Sequence, residues 1–162
     1  MLYASIYDAP FGPVTVFSNG TSITGVYTEQ MKLTCPIFAD DAIIKAFAWL
    51  DKYFEGNAPD IRSLPLRASG TIFQQDVWKR LYEIPFGSTV TYGQLAVEIA
   101  TERGITRMSS QAVGQAVGAN PISIIIPCHR VIGSNGNLVG YAGGLQIKKW
   151  LLEHEAAYNK HR

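Results

Sequence analysis

The apolar residues of this chain change their spacing once, and this change constrains the fold more than any other feature of the sequence. The first part begins with short runs of β-branched and aromatic residues separated by turn signals, which is typical of strands. In the second part apolar residues recur at three- and four-residue steps, which is typical of amphipathic helices. Residues 57–69 carry two prolines and show neither spacing. We therefore predict an α+β chain of two domains, residues 1–69 and residues 70–162.

The first domain is predicted to be a small three-stranded antiparallel sheet followed by one helix. Turn sequences at residues 10–13 and 18–20 separate the strand-like runs. The predicted strands are residues 2–7, 14–17 and 23–27. Asp40 or Asp41 is expected to cap the helix, whose apolar face includes Ile43, Leu50 and Phe54.

The second domain is predicted to be mainly helical. The expected helices are residues 74–83, 92–100, 110–118 and 145–156. Thr91 and Ser109 can cap the second and third of them, and this pair resembles a helix-turn-helix with a longer loop than usual. The third helix is unusually rich in Gly, Ala and Val, so it can approach another surface closely. Two packed core helices would give the same pattern, so this feature alone does not establish DNA binding.

Length and composition exclude several classes of protein. The chain has 162 residues, 47% of them hydrophobic, which allows a core without disulfides or metals. Two cysteines, Cys35 and Cys128, do not suggest a disulfide framework, so we expect a reduced, cytoplasmic protein. The start does not resemble a signal peptide and no apolar run is long enough to span a bilayer, so no membrane association is predicted.

The charges are divided unevenly between the two domains. The formal net charge of +1 argues against a strong, indiscriminate nucleic-acid binder. However, residues 1–70 hold five basic and seven acidic residues, a net charge of −2, whereas residues 71–162 hold nine basic and six acidic residues, a net charge of +3. Any contact with a polyanion is therefore expected on the second domain, with weak and salt-sensitive affinity.

Cys128 lies in surroundings that favour a reactive thiol. A free cysteine is usually a small buried hydrophobe, but His129 and Arg130 follow this one directly and are expected to lower its pKa. Residues 122–126 are predicted to form a buried strand, and Pro127 would fix the backbone as the chain leaves it. Because neighbours on an extended chain point apart, His129 is expected to take the thiol proton through a water molecule.

A carboxylate is expected to orient the imidazole of His129, as in other nucleophile–base pairs. The last helix offers two candidates, Glu153 and Glu155. Their spacing does not distinguish between them.

The motif at residues 126–131, Ile-Pro-Cys-His-Arg-Val, resembles the active-site motif of the O6-alkylguanine-DNA alkyltransferases, the methylated-DNA–protein-cysteine methyltransferases. Ordered blocks on either side extend the resemblance across residues 70–156, including Tyr92, the Ala-Val-Gly at 112–114 and Asn120-Pro121. The closing block comprises Tyr141 and residues 143–145, 148 and 150–155. The first domain is similar only in general architecture. The implied fold is an RNase H-like first domain and a winged-helix-like second domain.

The resemblance implies an irreversible transfer of the alkyl group from O6 of a flipped guanine, and possibly from O4 of thymine, to the protein's own cysteine, in one turnover and without a cofactor. Its implied catalytic residues are Cys128 as acceptor, His129 as base, Glu155 as its orienting group and Tyr92 as proton donor to the departing O6. The implied base pocket comprises Asn120, which would brace the hinge beside Cys128, and Val131, Tyr141 and Gly143.

The resemblance also implies that the helix 110–118 enters the minor groove of double-stranded DNA. The DNA-contacting residues we assign are Ser109, Gln111, Ala112, Gly114 and Arg130. Gln111 stands where most members carry an arginine that fills the space of the flipped base, so base extrusion is expected to be less efficient. Ala142 replaces a hydroxyl residue of many relatives, and the basic tail at residues 160–162 is expected to lie near phosphate.

Three other functions compete with this interpretation. A non-catalytic alkylated-DNA-binding protein of the same fold would carry another residue at position 128. A helix-turn-helix transcription factor would not need Tyr92, His129 and Glu155 together and would normally dimerise, whereas we expect a monomer. A thiol hydrolase would need an oxyanion hole, for which the sequence has no separate signal. The histidines and Cys35 lack paired metal-ligand spacing, so no metal is predicted.

Overall fold

A computed structural model describes residues 1–141 and 143–159 of the chain. The three-stranded antiparallel sheet and the mainly helical second part confirm the predicted α+β fold class. In chain order the elements are β1 (Tyr3–Ala9), β2 (Gly12–Ser18), β3 (Ile23–Tyr27), α1 (Asp41–Phe54), α2 (Ile72–Leu81), β4 (Val90–Thr91), α3 (Tyr92–Arg103), α4 (Ser110–Gly118), β5 (Val131–Ile132) and α5 (Leu145–Asn159), with short 3₁₀ turns at Ile61–Ser63 and Cys128–Arg130.

The first sheet forms in the order β1-β2-β3 because a tight turn joins each pair of antiparallel strands. Gly12, with a φ of +131°, is the first residue of β2 and follows the turn from β1 directly. Helix α1 covers one face of this sheet and buries Ile43 and Leu50. Of the two candidate caps it is Asp40 that acts, since its carboxylate accepts a hydrogen bond from the Ile43 amide at 2.9 Å.

Helices α2, α3 and α4 begin where a side chain satisfies a free backbone amide of the first turn. Thr71 and Thr91 form capping boxes with Gln74 and Gln94, so α2 starts two residues earlier than predicted. Helix α3 runs three residues beyond its predicted end, to the left-handed Gly104. Helix α4 has the predicted bounds, and α3 and α4 pack against each other as a helix pair.

Two pieces of sheet join distant parts of the chain. Strands β4 and β5 pair in parallel, with Val90 opposite Val131. In addition, Val26 of β3 donates to the Pro121 carbonyl at 2.9 Å and accepts from the Ser123 amide at 3.0 Å. The first sheet therefore supports the segment that leads to Cys128.

None of the helices in the described part of the chain is both long enough and apolar enough to cross a membrane.

Candidate active site

The segment before Cys128 is a buried turn, so the predicted strand at residues 122–126 is wrong. Ile124 has a left-handed φ of +71°, which is rare for a β-branched residue. The Ile126 amide donates to the Ile122 carbonyl at 3.0 Å, which closes the turn. A short apolar run is compatible with a strand or with any other buried segment, and here the apolar side chains fill the core while the backbone folds back.

Asn120 holds this turn from inside. Its side-chain nitrogen donates to the carbonyls of Ile126 at 2.9 Å and Ile122 at 3.3 Å, and its side-chain oxygen accepts from the Ile122 amide at 3.0 Å. These three hydrogen bonds satisfy backbone groups that would otherwise be buried without partners. Asn120 therefore fixes the backbone of residues 122–126, which lead to Cys128.

Cys128 begins a 3₁₀ turn and is 7% exposed. Burial raises the pKa of its thiol, while a hydrogen bond from Asn120 and the charge of Lys148 lower it by smaller amounts. The pKa is therefore raised overall, and not lowered by the charges of His129 and Arg130 as expected; His129 lowers it slightly, through its backbone amide. The expected extended backbone is also absent, because residues 128–130 are helical.

His129 and Glu155 form a buried pair beside the cysteine. The distance from His129 Nε2 to Glu155 Oε2 is 2.5 Å, and both side chains are almost inaccessible to solvent. Burial lowers the pKa of His129, and Glu155 opposes this effect. Because Nε2 bonds to the carboxylate, Nδ1 is the nitrogen that can accept a proton, and it makes no hydrogen bond to the described residues. The other candidate, Glu153, is exposed and pairs with Lys149.

Arg130 lies inside the protein, which corrects its assignment as a DNA-contacting residue. It is 8% exposed, its Nε donates to Glu155 Oε1 at 2.8 Å, and its Nη1 donates to the Ile84 carbonyl at 2.7 Å. A guanidinium held in this way is not available to a phosphate. The interaction with His129, and after it the charge and hydrogen bonds of Arg130, keep the pKa of Glu155 well below its usual range despite burial.

Tyr92 begins α3 and turns its hydroxyl toward the loop before α5. The hydroxyl donates to the Val139 carbonyl at 3.1 Å. Burial raises its pKa, and the charge that Cys128 would carry adds to this effect. Tyr92 therefore stays protonated at neutral pH and retains a proton to donate.

Lys148 is a buried cation in this site for which the sequence predicted no role. Its Nζ donates to the carbonyls of Val131 at 2.6 Å and Val139 at 2.9 Å and lies 3.4 Å from the Tyr92 hydroxyl. It therefore ties β5 to the loop that contacts Tyr92. The spacing of Lys148, Leu151 and Glu155, the buried residues of α5, puts all three on one helical face and was a usable signal.

The residues predicted to line a base pocket differ in their burial and in their contacts. Val131 is buried in β5. Tyr141 has a pKa well above its usual value, because of burial and then of the charge that Cys128 would carry. Gly143 packs against Thr28 of the first domain, and any larger residue at 143 would collide with it. Ala142 lies outside the described residues.

The small-residue helix α4 forms one wall of an open groove of about 430 Å³, whose lining includes Tyr92, Gln111, Gly114 and Val139. Ser109 is exposed. It also has a structural role, because it caps α4 by accepting a hydrogen bond from the Ala112 amide at 3.2 Å. Gln111 is exposed, while Ala112 and Gly114 are half-buried. The predicted basic tail at residues 160–162 lies outside the described residues.

Comparison with known proteins identifies the relatives of this chain. The family model described as 6-O-methylguanine DNA methyltransferase, ribonuclease-like domain, matches residues 2–68. The model described as 6-O-methylguanine DNA methyltransferase, DNA binding domain, matches residues 72–157.

Individual relatives agree with these models. The methylated-DNA–protein-cysteine methyltransferase of Haemophilus influenzae is 38% identical over 95% of this chain and 86% of its own. That of Shigella flexneri is 52% identical over 65% of this chain, a match that spans 59% of its own length. The crystal structure of Mycobacterium tuberculosis OGT in complex with DNA has a TM-score of 0.83 and 40% identity, covering 96% of this chain and 94% of that chain. The chain therefore belongs to the 6-O-methylguanine DNA methyltransferase family.

Proposed function

We propose that this protein repairs DNA by moving the alkyl group of O6-alkylguanine to its own Cys128. The main support for this proposal is a buried group of three residues, in which Cys128 directly precedes His129 and His129 bonds to Glu155 at 2.5 Å. Relatives of this chain are named for methyl transfer from DNA to a protein cysteine. O4-alkylthymine is a second lesion of the same chemistry.

The reaction begins with the thiol proton. Because burial keeps Cys128 protonated, a base is needed, and His129 Nδ1 accepts the proton through one water molecule. The thiolate then attacks the alkyl carbon, so that the sulfur–carbon bond forms as the carbon–O6 bond breaks. Tyr92 donates its proton to the departing base and regains one afterwards, so that in the net reaction the thiol hydrogen replaces the alkyl group. The cysteine is consumed, which limits each molecule to one turnover.

The guanine must leave the base stack to reach the sulfur. We assign Val131, Tyr141 and Gly143 to the walls of the pocket that receives it, and Asn120 to the support of the neighbouring turn. The apolar and glycine-rich surroundings suit a flat purine. We assign the open groove between Tyr92 and α4 as the entrance for this base.

We assign α4 to the minor groove of double-stranded DNA, with Gln111, Ala112 and Gly114 facing the DNA and Ser109 at the start of the helix. Its small side chains permit close approach, and the minor groove carries a degenerate base pattern, which suits a protein that must act at any sequence. Replacing exposed Gln115 of this groove with Glu should weaken duplex binding but leave the reaction with free O6-benzylguanine unchanged. Gln30→Glu adds the same charge in the first domain and serves as the control. Equal effects of both variants would contradict this docking face.

Transfer of a labelled methyl group tests the assignment of the acceptor. Duplex DNA that carries labelled O6-methylguanine should label the wild-type protein and a Cys35→Ser variant equally, but not a Cys128→Ser variant. If the Cys128→Ser variant binds the lesion and the wild type accepts no label, the protein is a non-catalytic alkylated-DNA-binding protein. Sedimentation of the wild type should show a monomer.

A further inference from the structure

Tyr53 reaches the active site from the first domain. It lies in α1, is completely buried, and donates its hydroxyl to Glu155 Oε2 at 2.7 Å across 102 positions of sequence. Nothing in the spacing of α1 distinguished this tyrosine from an ordinary core residue. The hydroxyl nevertheless contacts the carboxylate that holds His129.

The ring of Tyr53 has little freedom to move. It stacks on Trp49 with ring centroids 5.7 Å apart and an interplanar angle of 7°. Phe86 and His154 pack against it at 5.7 and 5.2 Å between centroids, and the His154 imidazole also bonds to the Tyr53 carbonyl at 2.8 Å. A ring fixed by α1 and α5 gives its hydroxyl a fixed position.

Tyr53 and His129 bond to the same carboxylate oxygen. Glu155 Oε2 contacts the Tyr53 hydroxyl at 2.7 Å, His129 Nε2 at 2.5 Å and Arg130 Nη2 at 3.2 Å. The other oxygen, Oε1, accepts from Arg130 and from the Gly87 amide. Every donor to Oε2 withdraws electron density from it, and this weakens the attraction of that oxygen for the imidazole proton.

We propose that Tyr53 is a positioning residue for alkyl transfer, which holds Glu155 Oε2 in place and moderates its pull on His129. This inference rests on the proposed function, because it assigns Tyr53 a part in that reaction. It also gives the first domain a direct contribution to the chemistry, in addition to its packing support.

The charges around these groups determine the direction of the effect. His129 faces the anionic Glu155 and the cationic Arg130 and Lys148, and Tyr53 faces Glu155, Arg130 and Tyr141. Without the Tyr53 hydroxyl the carboxylate loses one donor and attracts the imidazolium more strongly. The pKa of His129 should therefore rise, while its cationic neighbours remain unchanged.

The experiment combines NMR titration of histidine-labelled full-length protein with single-turnover rates on O6-methylguanine duplex from acid to neutral pH. Tyr53→Phe should raise the titration midpoint of His129 by about half a unit to one unit. The acid limb of the rate profile should move by the same amount. Tyr7→Phe removes a comparable tyrosine–carboxylate bond, to Asp51 at 2.6 Å, and should change neither quantity.

A second variant keeps the test independent of the folding of Tyr53→Phe. Incorporation of 3-fluorotyrosine at position 53 makes the phenol a stronger donor and should lower the His129 midpoint, the opposite of the Tyr53→Phe result. Unchanged His129 titration in both variants, with an active wild type, would overturn the inference. An inactive wild type would instead contradict the proposed function, so the two failures are distinguishable.

Discussion

Replacing Glu155 with Gln should damage both the stability and the activity of the protein. The carboxylate accepts hydrogen bonds from Tyr53, Gly87 and His129 and two from Arg130. Glutamine has nearly the same shape but no charge, and its amide would direct N–H groups toward donors. The Arg130 guanidinium would then remain buried without a counter-charge.

The expected loss of stability follows from the burial of the Arg130–Glu155 ion pair. Removing one partner of a buried ion pair costs about 3–5 kcal/mol of the free energy of unfolding. For a chain of this size that loss corresponds to a fall in melting temperature of roughly 10 °C. Loss of the orienting carboxylate should also slow alkyl transfer by about 100-fold, within the range of general-base contributions.

Chemical denaturation and single-turnover rates measure the two effects. Glu153→Gln on the same helix is the matched control, because Glu153 is 66% exposed in an ion pair of 3.8 Å, and it should change stability by less than about 1 kcal/mol. Adding Arg130→Met to Glu155→Gln removes the uncompensated cation and should restore part of the lost stability. If Glu155→Gln were as stable as Glu153→Gln, the buried network would not hold the site together.

Three further outcomes are expected. Gln111→Arg should speed the repair of duplex DNA more than the reaction with free O6-benzylguanine, and equal acceleration would exclude base extrusion as the cause. Asn120→Ala should cost about 1–3 kcal/mol of unfolding free energy, measured by denaturation, because carbonyls such as that of Ile126 lose a buried donor; a smaller loss would mean that the turn holds itself. The folded-state pKa values of His129 and Glu155 both lie below their unfolded values, so the unfolded chain binds more protons at acid pH. The unfolding free energy should therefore fall as the pH drops below about 6.5, because of His129, and fall further below about 4.3, because of Glu155. Denaturation at neutral and acid pH that showed no such fall would contradict this.

Local signals in the sequence were sufficient to predict most of the helices and strands. Strand β3 and helix α4 have the predicted bounds because turn residues and the Ser109 cap mark their ends. The parallel pair β4–β5 was not predicted, since each strand has only two residues and depends on a partner about 40 positions away. The turn at residues 122–126 was mistaken for a strand because its shape depends on hydrogen bonds from the Asn120 side chain.

The site was predicted unequally for the same physical reason. A motif contained in a few residues, such as Cys128-His129, is visible in one sequence. The hydrogen-bond partners of Glu155 come from α1, the 3₁₀ turn at Cys128–Arg130 and the loop after α2. No local sequence pattern indicates these long-range contacts. The error about Arg130 has the same origin. From the sequence alone, a basic residue beside a reactive cysteine is expected to be exposed and to contact phosphate, because its ion pair with the distant Glu155 is not visible there.

The proposed function requires Cys128 to accept the alkyl group and to be consumed in doing so. An excess of duplex DNA containing O6-methylguanine should produce one methylated Cys128 per protein molecule, identified by peptide mass spectrometry, together with one restored guanine. Restored guanine in excess of protein, or a methyl group on Cys35 with Cys128 unmodified, would exclude Cys128 as a single-turnover acceptor.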